Sequence, residues 1–514
     1  MPSMRLSKIV ATLGPVSDNP DTIKALINAG VNVFRLNFSH GNPEKFKVLV
    51  DCIDTIRKEL DVPVAILGDI QGPKFRVGTF EGGEPVHLQK GATLKLVVGE
   101  GPGHAGLLTT KFIELVSALN VGQAVLLDDG AMQLEVTKRL GPAEVECKVL
   151  QGGLLKEKKG INVPGLKIDI EPLTEKDKED CRFVMTQCFD FLALSFVQSD
   201  EDIRYLRCYL AEHNPEDRLL PAIIAKIENP QSLTCIEAIV EEADGIMVAR
   251  GDMGVEMDLE RVPFVQKQLI DMANLAEKPV ITATQMLESM ITSATPTRAE
   301  VSDIANAICD GSDALMLSAE TAAGQFPIET VKTMSRIMLE AERNLPFWHR
   351  PDDVERVFRD PRMVAYRDGM EFHEAIAQTA VIAARRSDAR AIMVMSNSGS
   401  MAGRVSKRKP RCPVVVLTNS LHTYYRTNLF WGTFPIKVRF EGESSDEVIA
   451  QAENEVSRAG FLSNHDTVVF CAGQTQLLGL TNVLKIHRFD QVIRPGRHVQ
   501  VVTSAVHTDF LSTC

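Results

Sequence analysis

The chain has 514 residues, more than one ordinary domain holds, so about two to four domains are expected. Hydrophobic residues make up 44% and charged residues 24%, the balance of a globular chain rather than a disordered one. A net charge of −12 argues against nucleic acid or an anionic membrane as partner, and no uncharged apolar run nears the roughly 20 residues of a membrane span.

The N-terminal stretch MPSMRLSKIVATLG lacks an apolar core followed by a small-residue cleavage site, so secretion is not expected. The ten cysteines are scattered, without CxxC pairs or nearby histidine clusters. Neither a disulfide framework nor a zinc site is expected, and a reduced, cytoplasmic setting is.

SKIVATLG (7–14), VNVFRLNFSHG (31–41) and VAILGDI (64–70) are short β-branched runs separated by the amphipathic stretches NPDTIKALINAG and PEKFKVLVDCIDTIRKEL. In the second run Arg35, Asn37 and Ser39 alternate, so on a strand they share one face. Arginine suits bidentate binding of phosphate or carboxylate. The third run ends in Asp69, and a Gly-Pro turn then presents Lys74 and Arg76.

Residues 72–164 have another texture, with glycines and short alternating segments such as VHLQKGATLKLVVG and AEVECKVLQGG. They predict a small β-barrel-like insert hinged at two necks, GPKFRVG and GINVPGLK, placed to act as a lid.

FLALSFV (191–197), AIIAKIE (222–228), GIMVARGD (245–252), PVITATQ (279–285) and ALMLSAET (314–321) then resume the alternation with helical stretches. With the first three runs they predict a closed parallel (β/α)8 barrel over 1–71 and 165–342. Barrel chemistry gathers at the C-terminal ends of strands, and these runs end in Asn37, Ser39, Asp69, Lys226, Glu228, Asp252, Thr284, Ser318 and Glu320. Glu228 and Asp252 offer paired oxygen ligands for Mg²⁺ or Mn²⁺. Lys226 shares a strand face with Glu228, where it could neutralise an oxyanion or simply pair with Glu228; spacing leaves both open. TATQMLESM (282–290) predicts a helix whose first amides could bind an anion, and Gly251–Asp252 offers a second set.

From residue 343 a charged, irregular stretch leads to a helix (HEAIAQTAVIAARRSDA) and to the strands AIMVM, PVVVLTNS and DTVVFCAG, an α/β layered domain over 343–514. Its loop Ser396, Asn397, Ser398, Gly399 and Ser400 is a candidate phosphate nest, with Arg404, Lys407, Arg408 and Lys409 nearby. No Walker A or kinase glycine loop is present. Residue chemistry alone reaches a metal-dependent enzyme acting on a phosphorylated small acid by positioning and charge neutralisation.

SKIVATLGP, VFRLNFSHG, GINVPGLKIDIEPLTEKD, IIAKIENP, GIMVARGDMGVE, ITATQMLESM and TPTRAEVSDIANAICDGSDALMLSAET together resemble the pyruvate kinase family, almost continuously over the barrel and more loosely elsewhere. The resemblance implies phosphoryl transfer from phosphoenolpyruvate to ADP, giving pyruvate and ATP at the last step of glycolysis. It implies that Glu228 and Asp252 hold Mg²⁺ (or Mn²⁺), that a second Mg²⁺ arrives with ADP, and that Lys226 stabilises charge on the phosphoryl group and the enolate. Arg35 would hold the phosphate. Gly251, Asp252 and Thr284 would hold the carboxylate, and Thr284, Ser318 and Glu320 would line the route of enolate protonation. Asn37, His40, Arg76 and Lys176 would serve the nucleotide. Many members bind K⁺ through the equivalents of Asn37, Ser39 and Asp69 plus a threonine after that aspartate, in a turn reading Asp-Thr-Lys-Gly-Pro-Glu. Here the turn reads Asp69-Ile70-Gln71-Gly72-Pro73-Lys74, which resembles the K⁺-independent subgroup and implies Lys74 near Asp69 as a resident substitute for K⁺. A sugar-phosphate or nucleotide effector at 396–400 and a homotetramer are further implications. Two other readings stay open on sequence: a lyase or mutase of the same barrel type, and a catalytically silent regulatory protein.

Overall fold

The structure, a computed structural model, describes residues 4–166, 170–214, 218–345, 372–439, 445–473 and 481–489. The charged stretch 350–369, the core of the late loop AGQTQLLGLTN and the tail 502–514 therefore lie outside the described residues.

Eight parallel strands close into a barrel in which each pairs with its sequence neighbours. They are Lys8–Thr12, Val33–Asn37, Ala65–Ile70, Phe191–Leu194, Ala222–Ile227, Gly245–Ala249, Val280–Ala283 and Ala314–Leu317, numbered below as the first to eighth barrel strands. All but a few of their residues are buried, because helices cover the outside and side chains fill the inside. Val10, Leu67, Ala193, Ile224, Met247 and Ile281 form part of that inner packing. Three barrel helices open on Asn-Pro: Asn19-Pro20, Asn42-Pro43 and Asn229-Pro230. Each asparagine side chain accepts an N–H three residues on, while the proline fills a position that needs no donor.

The insert has its own apolar core, including Leu94, Leu96, Leu108, Val125, Leu134 and Val145. Its main sheet is six-stranded, with edge strands Ile161–Asn162 and Leu107–Thr110, so it is an open sheet rather than the expected barrel-like closure. A short helix, Ile113–Ala118, joins it.

The last region is a five-stranded sheet ordered Thr433–Lys437, Val414–Thr418, Ala391–Met395, Thr467–Gly473 and Thr481–Arg488, the last strand antiparallel. Tyr424, Tyr425 and Leu429 belong to the same cluster as the barrel's inner residues and so stopper its N-terminal mouth.

Candidate active site

Side chains from five consecutive strands meet at the C-terminal end of the barrel. Lys226, near the end of the fifth strand, points its Nζ at Ser195 Oγ (2.7 Å), Glu228 Oε1 (3.0 Å) and Asp69 Oδ1 (3.2 Å). Asp69 Oδ2 accepts from Arg35 Nε (2.7 Å), and Arg35 Nη1 donates to Thr12 Oγ1 (3.0 Å). Ser195 Oγ in turn donates to the Ile70 carbonyl at 2.7 Å. Strands one to five are thereby tied by one polar chain, Thr12–Arg35–Asp69–Ser195–Lys226–Glu228.

This chain is deeply buried, Asp69 and Glu228 each being 1% exposed. Burial would push Asp69 up, but Lys226 and Arg35 outweigh it and hold the carboxyl below its usual range. Burial would likewise discharge Lys226, yet Asp69 and Glu228 raise it above the ordinary lysine value, so it keeps its proton. Glu228 is pushed up to about 7 by burial, with the charge of Asp252 adding to the effect against Lys226. Its Oε2 accepts the Phe196 N–H at 2.6 Å. Its Oε1 touches Lys226 Nζ as an ion pair, but receives no aligned hydrogen bond and is sealed from water. A buried carboxylate oxygen in that state has room for another cationic partner.

Asp252 sits in the helix Arg250–Glu256 that follows the sixth strand. Arg250 anchors this helix through a bond to Asp303 (2.7 Å) and another to the Thr284 carbonyl (2.6 Å). The Gly251 N–H donates to Thr284 Oγ1 at 2.8 Å, so the turn after the seventh strand meets the start of the helix that carries Asp252. Thr284 and Gln285 both hold left-handed backbone, φ 69° and 54°. Such strain in consecutive non-glycine residues is characteristic of functional turns.

The sequence reading is corrected at several places. No helix begins at Thr284: the chain bends there and makes only a 3₁₀ turn at Glu288–Ile291. The Leu287 N–H goes to Glu320 Oε1 (3.2 Å) and the Ser289 N–H to Glu300 (2.7 Å), which removes amides from any anion nest. Glu320 also accepts the Ser318 N–H (2.7 Å), and burial raises its carboxyl above the usual range. Ser39 does not extend the face of Arg35 and Asn37, because the second strand stops at Asn37 and Ser39 lies in a turn. The Ser39 N–H donates to Asn37 Oδ1 at 3.1 Å.

Lys74 is the largest correction. Its Nζ lies 3.3 Å from Asp252 Oδ1 and 3.6 Å from Asp129 Oδ1, not on Asp69, whose oxygens are taken by Arg35 and Lys226. Asp129 comes from the tip of a hairpin in the insert, so Lys74 bridges insert and barrel. The backbone forces this route. Gly72 has φ +66° and lies so close to Ser195 that an added Cβ would come within 2.9 Å of its carbonyl oxygen.

Between insert and barrel runs a cleft of about 540 Å³, lined among others by Gln71, Lys74, Arg76, Lys111, Lys158 and Lys176. Lys176 Nζ donates to the Phe38 carbonyl (2.9 Å), which ties this cleft to the end of the second strand and so to Asn37 and His40. Arg76 Nη1 donates to the Lys158 carbonyl at 3.0 Å.

In the C-terminal region Arg404 reaches the Ser396–Ser400 loop, donating to Ser400 Oγ at 2.9 Å. Arg404 also pairs with the barrel's Glu277 (3.1 Å), and the other expected cations are likewise spent on the barrel: Arg408 on Glu277 (3.0 Å), and Lys407 and Lys409 on Asp313.

Ser195, Thr12 and Asp129 were not singled out from sequence. Ser195 was findable, since it ends a barrel strand as Asp69 and Lys226 do. Asp129 was not, because only the folded insert carries it to Lys74.

No group of three or more His, Cys, Asp or Glu arranged for a metal occurs among the described residues. Two carboxylates, Glu228 and Asp252, still fit Mg²⁺, which is commonly held by one or two carboxylates together with substrate phosphates and water.

Family models for the pyruvate kinase barrel domain and the pyruvate kinase alpha/beta domain match residues 4–331 and 374–487. A pyruvate kinase of Geobacillus stearothermophilus is 40% identical over 96% of this chain and 82% of its own length. One from Staphylococcus epidermidis is 39% identical over 99% and 85%. The crystal structure of a pyruvate kinase from Cryptosporidium parvum superposes with a TM-score of 0.87 at 34% identity, covering 94% of this chain and 96% of the other. Agreement in sequence, domain order and three-dimensional course over nearly the full length leaves neither a lyase nor a silent scaffold standing: the chain belongs to the pyruvate kinase family, and its reaction is phosphoryl transfer from phosphoenolpyruvate to ADP.

Proposed function

We propose that the polar chain from Thr12 to Glu228 is the catalytic centre of this transfer. The observation that carries the reading is the protonated Lys226 held among Asp69, Ser195 and Glu228, with Asp252 completing a carboxylate pair beside it. Glu228 and Asp252 hold Mg²⁺ or Mn²⁺, which when bound supplies charge neutralisation to the phosphoryl and enol oxygens. Lys226 faces the charge that develops on the transferring group and the enolate. Arg35, fixed by Asp69 and Thr12, presents the rest of its guanidinium to the phosphate. Gly251, Asp252 and Thr284 seat the carboxylate. Thr284, Ser318 and Glu320 line the route by which water protonates the enolate, with burial raising the Glu320 carboxyl above its usual range.

ADP enters the cationic cleft with a second Mg²⁺, served by Asn37, His40, Arg76 and Lys176. Concentrated cations here answer the chain's net charge of −12, which would otherwise repel both anionic substrates. The test is a coupled assay of ATP formation titrated with Mg²⁺ in the presence and absence of K⁺.

K⁺ is not required in this reading. Asp69 already has two cationic partners, Ile70 offers no hydroxyl, and Lys74 brings a further charge to Asp252. Activity persists when K⁺ is replaced by tetramethylammonium, and Lys74→Glu, ideally with Ile70→Thr, makes K⁺ stimulate turnover about tenfold or more. A wild-type chain that needs K⁺ for more than residual turnover sinks this part.

The enzyme works in the cytoplasm as a homotetramer. Leu259 (72%), Phe264 (73%) and Val301 (38%) are exposed on neighbouring outer stretches of the barrel, apolar surface that a second copy would cover. Phe264→Glu with Leu259→Glu lowers the sedimentation coefficient to that of a smaller species; an unchanged coefficient removes this face from the interface. The Ser396–Ser400 loop receives a phosphorylated effector, with Arg404 as its nearest cation.

A further inference from the structure

Two polar ties join the insert to one short barrel helix, Arg250–Glu256. Asp252 takes the ammonium of Lys74, whose other carboxylate partner is Asp129 of the insert. One turn on, Glu256 Oε1 accepts from Asn162 Nδ2 at 2.7 Å. Asn162 lies in the edge strand Ile161–Asn162 of the insert's open sheet.

Asn162 is left half satisfied. A carboxylate only accepts, so the amide nitrogen faces Glu256 and the carbonyl oxygen is turned away from it. The residue is 6% exposed, and its Oδ1 is sealed from water and receives no donor among the described residues. A buried acceptor without a donor is costly, which favours any rearrangement that brings one.

Lys74 is the donor at hand. A Cβ placed on Gly160 would stand 3.2 Å from Lys74 Cε and 3.7 Å from Asn162 Oδ1, so the lysine stem and the unmet oxygen border one space that a glycine leaves open. Asp129 Oδ1 is 3.5 Å from the same point, so Lys74 can turn towards Asn162 and keep its insert carboxylate. A cavity of about 70 Å³ lined by Lys74, Asn162 and Glu256 gives the side chain room to turn.

Resting on the reading of Glu228 and Asp252 as the Mg²⁺ ligands, we propose that Lys74 and the divalent cation compete for Asp252, and that Asn162 is the positioning residue that receives the displaced ammonium. Two cations on one carboxylate repel each other, so the metal drives Lys74 off the barrel helix and onto the insert. The insert thereby exchanges a tie to Asp252 for one within itself, and metal loading is felt at the seam. Asn162 acts only through Lys74.

The test counts free Mn²⁺ by electron paramagnetic resonance as it is titrated into the full chain, without substrate or turnover. Lys74→Met, which removes the competitor, binds Mn²⁺ about tenfold more tightly than the wild type. Asn162→Leu weakens Mn²⁺ about fivefold in the wild type and less than about twofold in Lys74→Met, because only a displaced ammonium needs the acceptor. Gly160→Ala, which fills the shared space without removing a polar group, shows the same dependence on Lys74. For either folded variant, an effect equal in the two backgrounds overturns the proposal, as does Lys74→Met binding no tighter than wild type. Mn²⁺ affinity left unchanged by Glu228→Gln removes the metal site itself and the proposal with it, so the two failures are told apart.

Discussion

Lys226→Met lowers kcat by about 10²–10³-fold while the KM for phosphoenolpyruvate changes by far less. Methionine keeps most of the stem and fills the space, so what is lost is the ammonium and its three contacts to Ser195, Glu228 and Asp69. Binding of the ground state survives because Arg35 keeps its own tie to Asp69 and to Thr12. The charge that grows on the phosphoryl group and the enolate has then lost its nearest fixed cation, a loss felt mainly in the transition state. Lys226→Arg does not restore the rate, because a planar fork cannot place one point charge among three acceptors set around an ammonium. Steady-state kinetics with the thermal midpoint measured alongside separates this from unfolding. A folded Lys226→Met variant within tenfold of wild-type kcat would remove Lys226 from the chemistry and leave it a structural ion pair.

The barrel was legible because burial on both faces makes parallel strands read as β-branched runs. Placing chemistry at strand ends then selected Asp69, Lys226, Glu228 and Thr284 without any contact information. What failed was partner choice across distance in sequence. Lys74 sits five residues after Asp69, so proximity along the chain suggested a pair. The turn at Gly72 instead carries Lys74 to Asp252, far downstream in sequence, and to a hairpin of the insert. The segment after Thr284 shows helical spacing, but Glu320 and Glu300 take its amides from outside and hold it as an irregular turn. Arg408, Lys407 and Lys409 looked like a solvated basic face beside an effector loop. Their partners Glu277 and Asp313 precede barrel strands, and a single sequence gives no sign that two domains will meet there.

Asp313→Asn destabilises the chain by about 3–5 kcal/mol at neutral pH, the cost of leaving buried ammonium groups without their counter-charge. Asp313 is wholly buried and immediately precedes the eighth barrel strand. Its carboxylate accepts from Lys407, from Lys409 (3.1 Å), from the Val280 N–H (2.9 Å) and from the Trp431 N–H (3.2 Å), so one side chain joins two barrel strands to the C-terminal region. Burial lowers Lys407 to about 8 even with Asp313 beside it; the folded value lies below the unfolded 10.5, so the folded state releases this proton first as pH rises. Between those values the unfolded chain binds more protons, and Lys407 contributes stability that increases with pH. Without Asp313 the lysines discharge more readily, so the deficit of Asp313→Asn narrows from pH 7 towards pH 10. Urea unfolding across that range measures it. Trp431, buried 4.6 Å from Lys409 Nζ, reports separation of the two regions as a red shift in fluorescence once the other tryptophan is removed by Trp348→Phe. Replacing Asp313, Lys407 and Lys409 together by leucine and methionine recovers most of the loss, since a packed apolar cluster of similar volume avoids the desolvation of all three charges. A deficit under about 1 kcal/mol for Asp313→Asn, constant with pH, would mean that apolar packing of Tyr424, Tyr425 and Leu429 in the barrel mouth holds the domains together and the ion pairs add little.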